Sequence, residues 1–154
     1  MIPRRLFFSL LVFAISLIVL QLGTGIWLFV EKYGLSPGEV YTYFAGNEAE
    51  FIMPKTFEGL IETAVPHFLA ISTTIFVFAH FLLFTQVISE KKKQLLISSL
   101  FLTASVDIFS AFGMIYGYEL FAWLKLIAFW SFEMLMGLLL LVLFQALFYK
   151  GAEA

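Results

Sequence analysis

Four long apolar stretches dominate the chain. Leu6 to Val30 carries no charge, and Ala64 to Ser89 carries only two histidines. Leu95 to Gly117 carries only Asp107, and Phe121 to Tyr149 carries Lys125 and Glu133. A membrane-crossing helix needs about 20 mostly apolar residues. Each stretch is long enough, and the pattern predicts spans at about 6–30, 64–89, 95–117 and 121–149. Glu90–Gln94 and Gly117–Leu120 read as tight turns, which make the last three helices antiparallel neighbours. The chain 1–154 therefore reads as a single all-α membrane domain, an up-down-up-down bundle of four transmembrane helices.

Between the first two spans lies an external loop, about 31–57. Within it Ser36-Pro37-Gly38-Glu39 is a capping box with proline at the first helical position. A short helix is expected from there to Gly46-Asn47. Phe57, Leu60, Ile61 and Ala64 recur at helical spacing, which predicts an interfacial segment leading into the second span. Pro66 lacks a backbone donor, so that span either starts there or kinks there. Gly23, Thr24 and Gly25 lie inside the first helix, where small residues permit close helix approach.

Charge gives the orientation. Arg4, Arg5, Lys91, Lys92, Lys93 and Lys150 fall on one side of a four-span chain, and only Lys32 and Lys55 fall in loops on the other. The positive-inside bias then puts both termini in the cytoplasm. Glu31, Glu39, Glu48, Glu50, Glu58, Glu62 and Glu119 lie on the opposite side. The first apolar run exceeds the roughly 7–15 residues of a signal-peptide core and is read as a retained helix. The expected location is a bacterial inner membrane.

Composition narrows the function classes. Apolar residues make up 62% of the chain and charged residues 13%, far from a soluble domain. The net charge of −2 argues against nucleic acid as a partner. Cysteine is absent, which excludes disulfides, thiol catalysis and Cys-ligated metal.

The informative positions are the ionisable groups inside the spans, each costing roughly 2.5–3.5 kcal/mol on insertion scales. They are His67, His80, Asp107, Lys125 and Glu133, with Gln21 as the main uncharged companion. At about 1.5 Å per residue, Asp107 lies about 15 Å, Lys125 about 6 Å and Glu133 about 18 Å from the outer edge. Gln21, His67, Asp107, Lys125 and Glu133 form the expected intramembrane polar cluster. Asp107 and Lys125 sit on consecutive antiparallel helices around a tight turn and invite pairing. Asp107 also belongs to a polar stripe, Ser99-Thr103-Asp107-Ser110, which must face protein or water. One reading is a structural ion pair that fixes packing and register. The other is a proton or ion relay through Asp107, Lys125 and Glu133. Trp123, Tyr116, Tyr118 and Phe121 fit an outer aromatic belt, whereas Trp130 is deep enough to be packed in the bundle.

His67 and His80 are the only histidines, 13 positions apart on one helix. This resembles membrane b-type cytochromes, in which one helix supplies a histidine to each of two haems. The resemblance implies haem b as a cofactor. It departs from the family in spacing, in a rotation of about 140° between the two side chains, and in the lack of a second histidine-bearing helix. A homodimer would supply the missing ligands, and Met114, Met134 or Met136 are alternatives. The structural reading of His67 is a ring satisfied by the irregular backbone beside Pro66.

No phosphate-cradling loop and no serine–histidine–acid arrangement is present, which points away from an enzyme. Gly23-Thr24-Gly25 at the end of the first helix, and Pro66-His67 with His80-Phe81 framing the second, resemble small uncharacterised four-helix bacterial inner-membrane proteins. That resemblance implies a fold and carries no activity. The expected function is an accessory or scaffold subunit of a membrane complex, acting as a homo-oligomer or with a membrane partner. The alternatives are a haem- or quinone-linked electron carrier using His67 and His80 in a homodimer, and a proton-coupled channel or carrier using Asp107, Lys125 and Glu133.

Overall fold

The computed structural model describes residues 4–148. It contains α1 (Arg4–Tyr33), α2 (Pro37–Ala45), a 3₁₀ turn (Glu48–Glu50), α3 (Phe57–Leu83), α4 (Glu90–Ile115) and α5 (Leu120–Phe148). Four of these, α1, α3, α4 and α5, are long and apolar enough to cross a membrane. Lys150 lies outside the described residues, as do the side chains of Arg4 and Arg5.

Local chemistry sets the ends of the elements. Ser36 caps α2: its hydroxyl accepts from the Glu39 N–H, and the Glu39 carboxylate accepts from the Ser36 N–H at 2.9 Å. Gly34 turns the chain from α1 into α2 at φ +76°, where a Cβ would lie 2.5 Å from Glu39 Oε2. Only glycine meets both demands. The short helix ends at Gly46, close to the expected position. Thr56 caps α3 by accepting from the Gly59 N–H at 3.1 Å. With that cap, Phe57 to Leu83 is one continuous helix. The expected interfacial segment and second span are therefore a single element, and Pro66 neither starts nor interrupts it. At 27 residues α3 is about 40 Å long, about 10 Å more than a hydrocarbon core.

The turn between α3 and α4 lies at 84–89, earlier than the expected 90–94. Ser89 and Glu90 begin α4, so Lys91, Lys92 and Lys93 are helical. Lys93 is only 2% exposed. Its ammonium donates to the carbonyls of Leu83 (3.2 Å) and Thr85 (2.7 Å) and to the Glu90 carboxylate (2.7 Å). It thus satisfies carbonyls that the end of α3 leaves open. The α4–α5 turn is tighter, with Gly117 at φ +89°.

Helix α5 is central and packs on α4 most extensively, with α1, α2 and α3 also against it. The buried side chains form two apolar clusters at different depths. One joins α3, α4 and α5 through Ile75, Leu82, Leu100 and Leu139. The other joins Phe29 of α1, Val40 and Phe44 of α2, Leu60 of α3, Met114 of α4 and Phe129 of α5. On α4, Asp107 falls between Ala104 of the first cluster and Ala111 of the second; on α5, Glu133 falls between Phe129 and Met136. Charged residues thus mark the boundary between two dry layers.

Candidate functional site

Helix α4 delivers Asp107 and α5 delivers Glu133 to that boundary, while Lys125 stands on α5 within the second cluster, between Ala122 and Leu126. The tight turn at Gly117 makes α4 and α5 antiparallel, so Lys125 meets Asp107 across it. Lys125 Nζ donates to Asp107 Oδ1 at 2.9 Å and to the Asp107 backbone carbonyl at 3.0 Å. The lysine is 6% exposed. Around its ammonium stand three aromatic rings, Tyr33 (5.5 Å to the centroid), Phe44 (5.6 Å) and Phe29 (5.9 Å). Ring faces carry negative quadrupole density and attract a cation. Phe29 in turn stacks on Phe129, with centroids 3.7 Å apart. One side chain therefore ties four helices together: α5 holds it, α4 pairs it, and α1 and α2 cage it.

The rest of the polar stripe on α4 turns inward on its own backbone. The Thr103 hydroxyl donates to Ser99 O at 2.8 Å, and the Ser110 hydroxyl donates to Asp107 O at 2.8 Å. The Asp107 carbonyl is thus shared by Lys125 and Ser110.

Glu133 is half-buried and stands apart from the ion pair. Its Oε2 is buried and has no hydrogen-bond partner among the described residues. Its Oε1 faces Gly25 of α1, where a Cβ would lie at 3.7 Å. A methyl group there would make ordinary van der Waals contact, so α1 passes close to this carboxyl without a demand for glycine. Gly23 has open space around it and takes no part in the approach.

The remaining members of the expected cluster lie elsewhere. Gln21 is exposed on α1, and none of the described residues pairs with its carboxamide. His67 is exposed on α3, and its Nδ1 lies 3.1 Å from the Thr63 carbonyl one turn earlier. His80 is exposed as well, with Phe76 stacked on one side and Phe84 edge-on at 5.0 Å. About 19 Å of helix separates the two histidines. Of the methionines considered as ligands, Met114 and Met136 are buried in the clusters and Met134 is exposed. Among the described residues no group of three or more His, Asp or Glu is placed to hold a metal. Trp130 departs from the expected packed position: it is 36% exposed, and Phe129 beside it takes the interior place.

Sequence reasoning missed the aromatic cage and the buried Lys93. Phe29 and Tyr33 are four apart on α1, a spacing that puts both on one face. Nothing in the sequence said that this face meets Phe44. For Lys93, the available signal was Glu90 three residues earlier, directly after the capping residue Ser89.

The model of a family described as a transmembrane helical domain covers residues 34–154, that is α2 to α5 and the residues beyond. No curated protein and no solved structure matches the chain significantly.

Proposed function

Since the chain belongs to this family of transmembrane helical domains, we propose that it is a non-enzymatic polytopic membrane protein serving as an accessory or scaffold subunit of a membrane complex. The observation that carries the reading is the state of Lys125. Its ammonium makes two hydrogen bonds to Asp107 and stands among three aromatic rings. A cation bound in that way holds helices together and has no free exchange with solvent. In this proposal residues 1–154 are one membrane domain of a bacterial inner membrane, with both termini in the cytoplasm. The lysines at the start of α4 and the acidic residues of the opposite loops support that orientation. The bilayer covers the outer faces, and a partner subunit or second copy meets part of them.

A second reading, a proton-coupled carrier, has one observation in its favour: the unpartnered Glu133 Oε2 between the two apolar layers. Intramembrane carboxyls of this kind mark proton paths in other proteins. The haem reading rests on two outward-facing histidines alone.

The test is an Asp107→Ala variant expressed in its native membrane, with assembly size read by native electrophoresis in mild detergent. A scaffold loses its assembly or its fold while the wild type carries no turnover. A wild-type chain that is monodisperse and partner-free and catalyses a reaction overturns the proposal.

A further inference from the structure

Helix α1 is the least covered of the spanning helices. Leu11 and Phe29 are its only buried residues among those described. Its inner face, at Ala14, Ile15, Ile18, Leu22 and Ile26, packs on the two clusters. Beside that face runs a second seam. Leu10, Ala14, Leu17, Gln21, Thr24 and Leu28 recur at spacings of four, three, four, three and four. This is the a/d repeat of a supercoiled helix pair. All of these positions are exposed except Ala14, which is partly covered.

Gln21 stands in the middle of that seam and in the middle of the Ser9–Tyr33 span. Its carboxamide offers two donors and an acceptor with two lone pairs. None of the described residues meets it, and hydrocarbon offers no partner. Thr24, one turn on, is already satisfied: its hydroxyl donates to Leu20 O at 2.9 Å. The unmet demand is therefore confined to Gln21.

We propose that α1 pairs with α1 of a second copy of this chain, with the Gln21 carboxamides hydrogen-bonded to each other across a two-fold axis. The proposal rests on the scaffold reading and names its first partner. Three observations select a second copy. Copies inserted by the same rule run parallel in the bilayer, so Gln21 meets Gln21 at equal depth. A carboxamide is self-complementary, donating and accepting at once, as an isologous contact requires. A single polar residue at an a position is also a known device for fixing register and oligomer state. The flanking leucines and the small Ala14 supply the close apolar contact that packing in lipid relies on.

The chain contains no cysteine, so single-cysteine variants need no further substitution. Leu17→Cys and Thr24→Cys lie on the seam, and Val19→Cys is exposed on the opposite side of α1 at similar depth. Each full-length variant is reconstituted in phosphatidylethanolamine–phosphatidylglycerol vesicles at high lipid excess and oxidised with copper phenanthroline. The expected result is dimer for Leu17→Cys and Thr24→Cys and monomer for Val19→Cys. Fluorescently labelled wild type counted by stepwise photobleaching gives pairs, and Gln21→Leu raises the dissociation constant about tenfold. Gln21→Leu keeps the helix propensity of α1 and raises its hydropathy, so failed insertion or misfolding does not explain that shift.

Equal cross-linking of Val19→Cys and Leu17→Cys, or wild-type monomers unaffected by Gln21→Leu, overturns the pairing. If Leu17→Cys instead cross-links only to a different polypeptide in native membranes, the second copy is wrong and the scaffold reading survives. If it cross-links to nothing in either setting, the α1 pairing is overturned, and the scaffold reading then stands or falls on the Asp107→Ala assembly test.

Discussion

Replacing Lys125 by methionine removes the ammonium and keeps an unbranched stem of similar length. The structure allows the loss to be divided. The two hydrogen bonds to Asp107, at 2.9 and 3.0 Å, disappear. Interhelical hydrogen bonds in membranes average roughly 0.6 kcal/mol each, so together they account for about 1 kcal/mol. Contacts with the Phe29, Tyr33 and Phe44 rings add about 0.5–1 kcal/mol each. The largest loss is indirect. Asp107, whose side chain is 19% exposed, is left as a carboxylate without its counter-charge. Removing one partner of a buried pair costs about 3–5 kcal/mol. That figure sets the expected destabilisation of Lys125→Met. The double variant Asp107→Leu/Lys125→Met buries neither charge, and apolar replacements of whole pairs are often neutral. It is expected to recover most of the loss. The assay is reversible unfolding by sodium dodecyl sulfate in mixed micelles, followed by tryptophan fluorescence; Trp130 lies against Phe129 in the affected layer. A single variant within about 0.5 kcal/mol of wild type would mean that Lys125 behaves as a surface residue and holds no helices together. A double variant less stable than Lys125→Met would rule out the unpaired Asp107 carboxylate as the main loss.

Three further outcomes follow from the packing and the caps. Gly113→Ala brings a methyl group against the Phe121 ring at less than van der Waals contact and is expected to cost about 1–3 kcal/mol, whereas Gly137→Ala, with open space around it, is tolerated; thermal unfolding of the two distinguishes them. Lys93→Met leaves the Leu83 and Thr85 carbonyls open, costs about 1–3 kcal/mol, and speeds amide exchange at the start of α4. The Ser36 hydroxyl, then the backbone N–H groups of Ser36 and Leu35, hold the Glu39 carboxyl below its ordinary pKa. A lowered folded pKa means the cap stabilises α2 above the unfolded pKa and fades as pH falls through the folded one. Amide protection factors in α2, taken relative to the intrinsic exchange rate at each pH, therefore fall on acidification in the wild type, and Glu39→Gln flattens that dependence.

What the sequence made legible was whatever depends on local pattern. The apolar runs marked the four spans because hydrocarbon demands about 20 apolar residues in a row. Ser36 and Glu39 marked the start of α2 because a capping box is read from four consecutive residues. Asp107 and Lys125 were within reach of each other because a short turn constrains two antiparallel helices. The rest depended on tertiary contact. Aromatic residues are common throughout the chain, so composition could not select Phe29, Tyr33 and Phe44 as the cage. The lysine run at 91–93 looked like a solvated turn, yet Lys93 is buried because three acceptors converge on it. The outward placement of Gln21, His67 and His80 depends on how α1 and α3 are rotated against α4 and α5. Apolar residues on every side of a membrane helix conceal that rotation.

The central claim is that the mid-span charges hold helices together and do not conduct. Proton flux decides it most directly. Purified wild-type chain is reconstituted into pyranine-loaded vesicles under an imposed pH gradient with valinomycin present. Dissipation is expected to be no faster than in empty vesicles. Flux well above the empty control, abolished by Glu133→Gln, would contradict that claim and establish the carboxyl between the two apolar layers as a proton path.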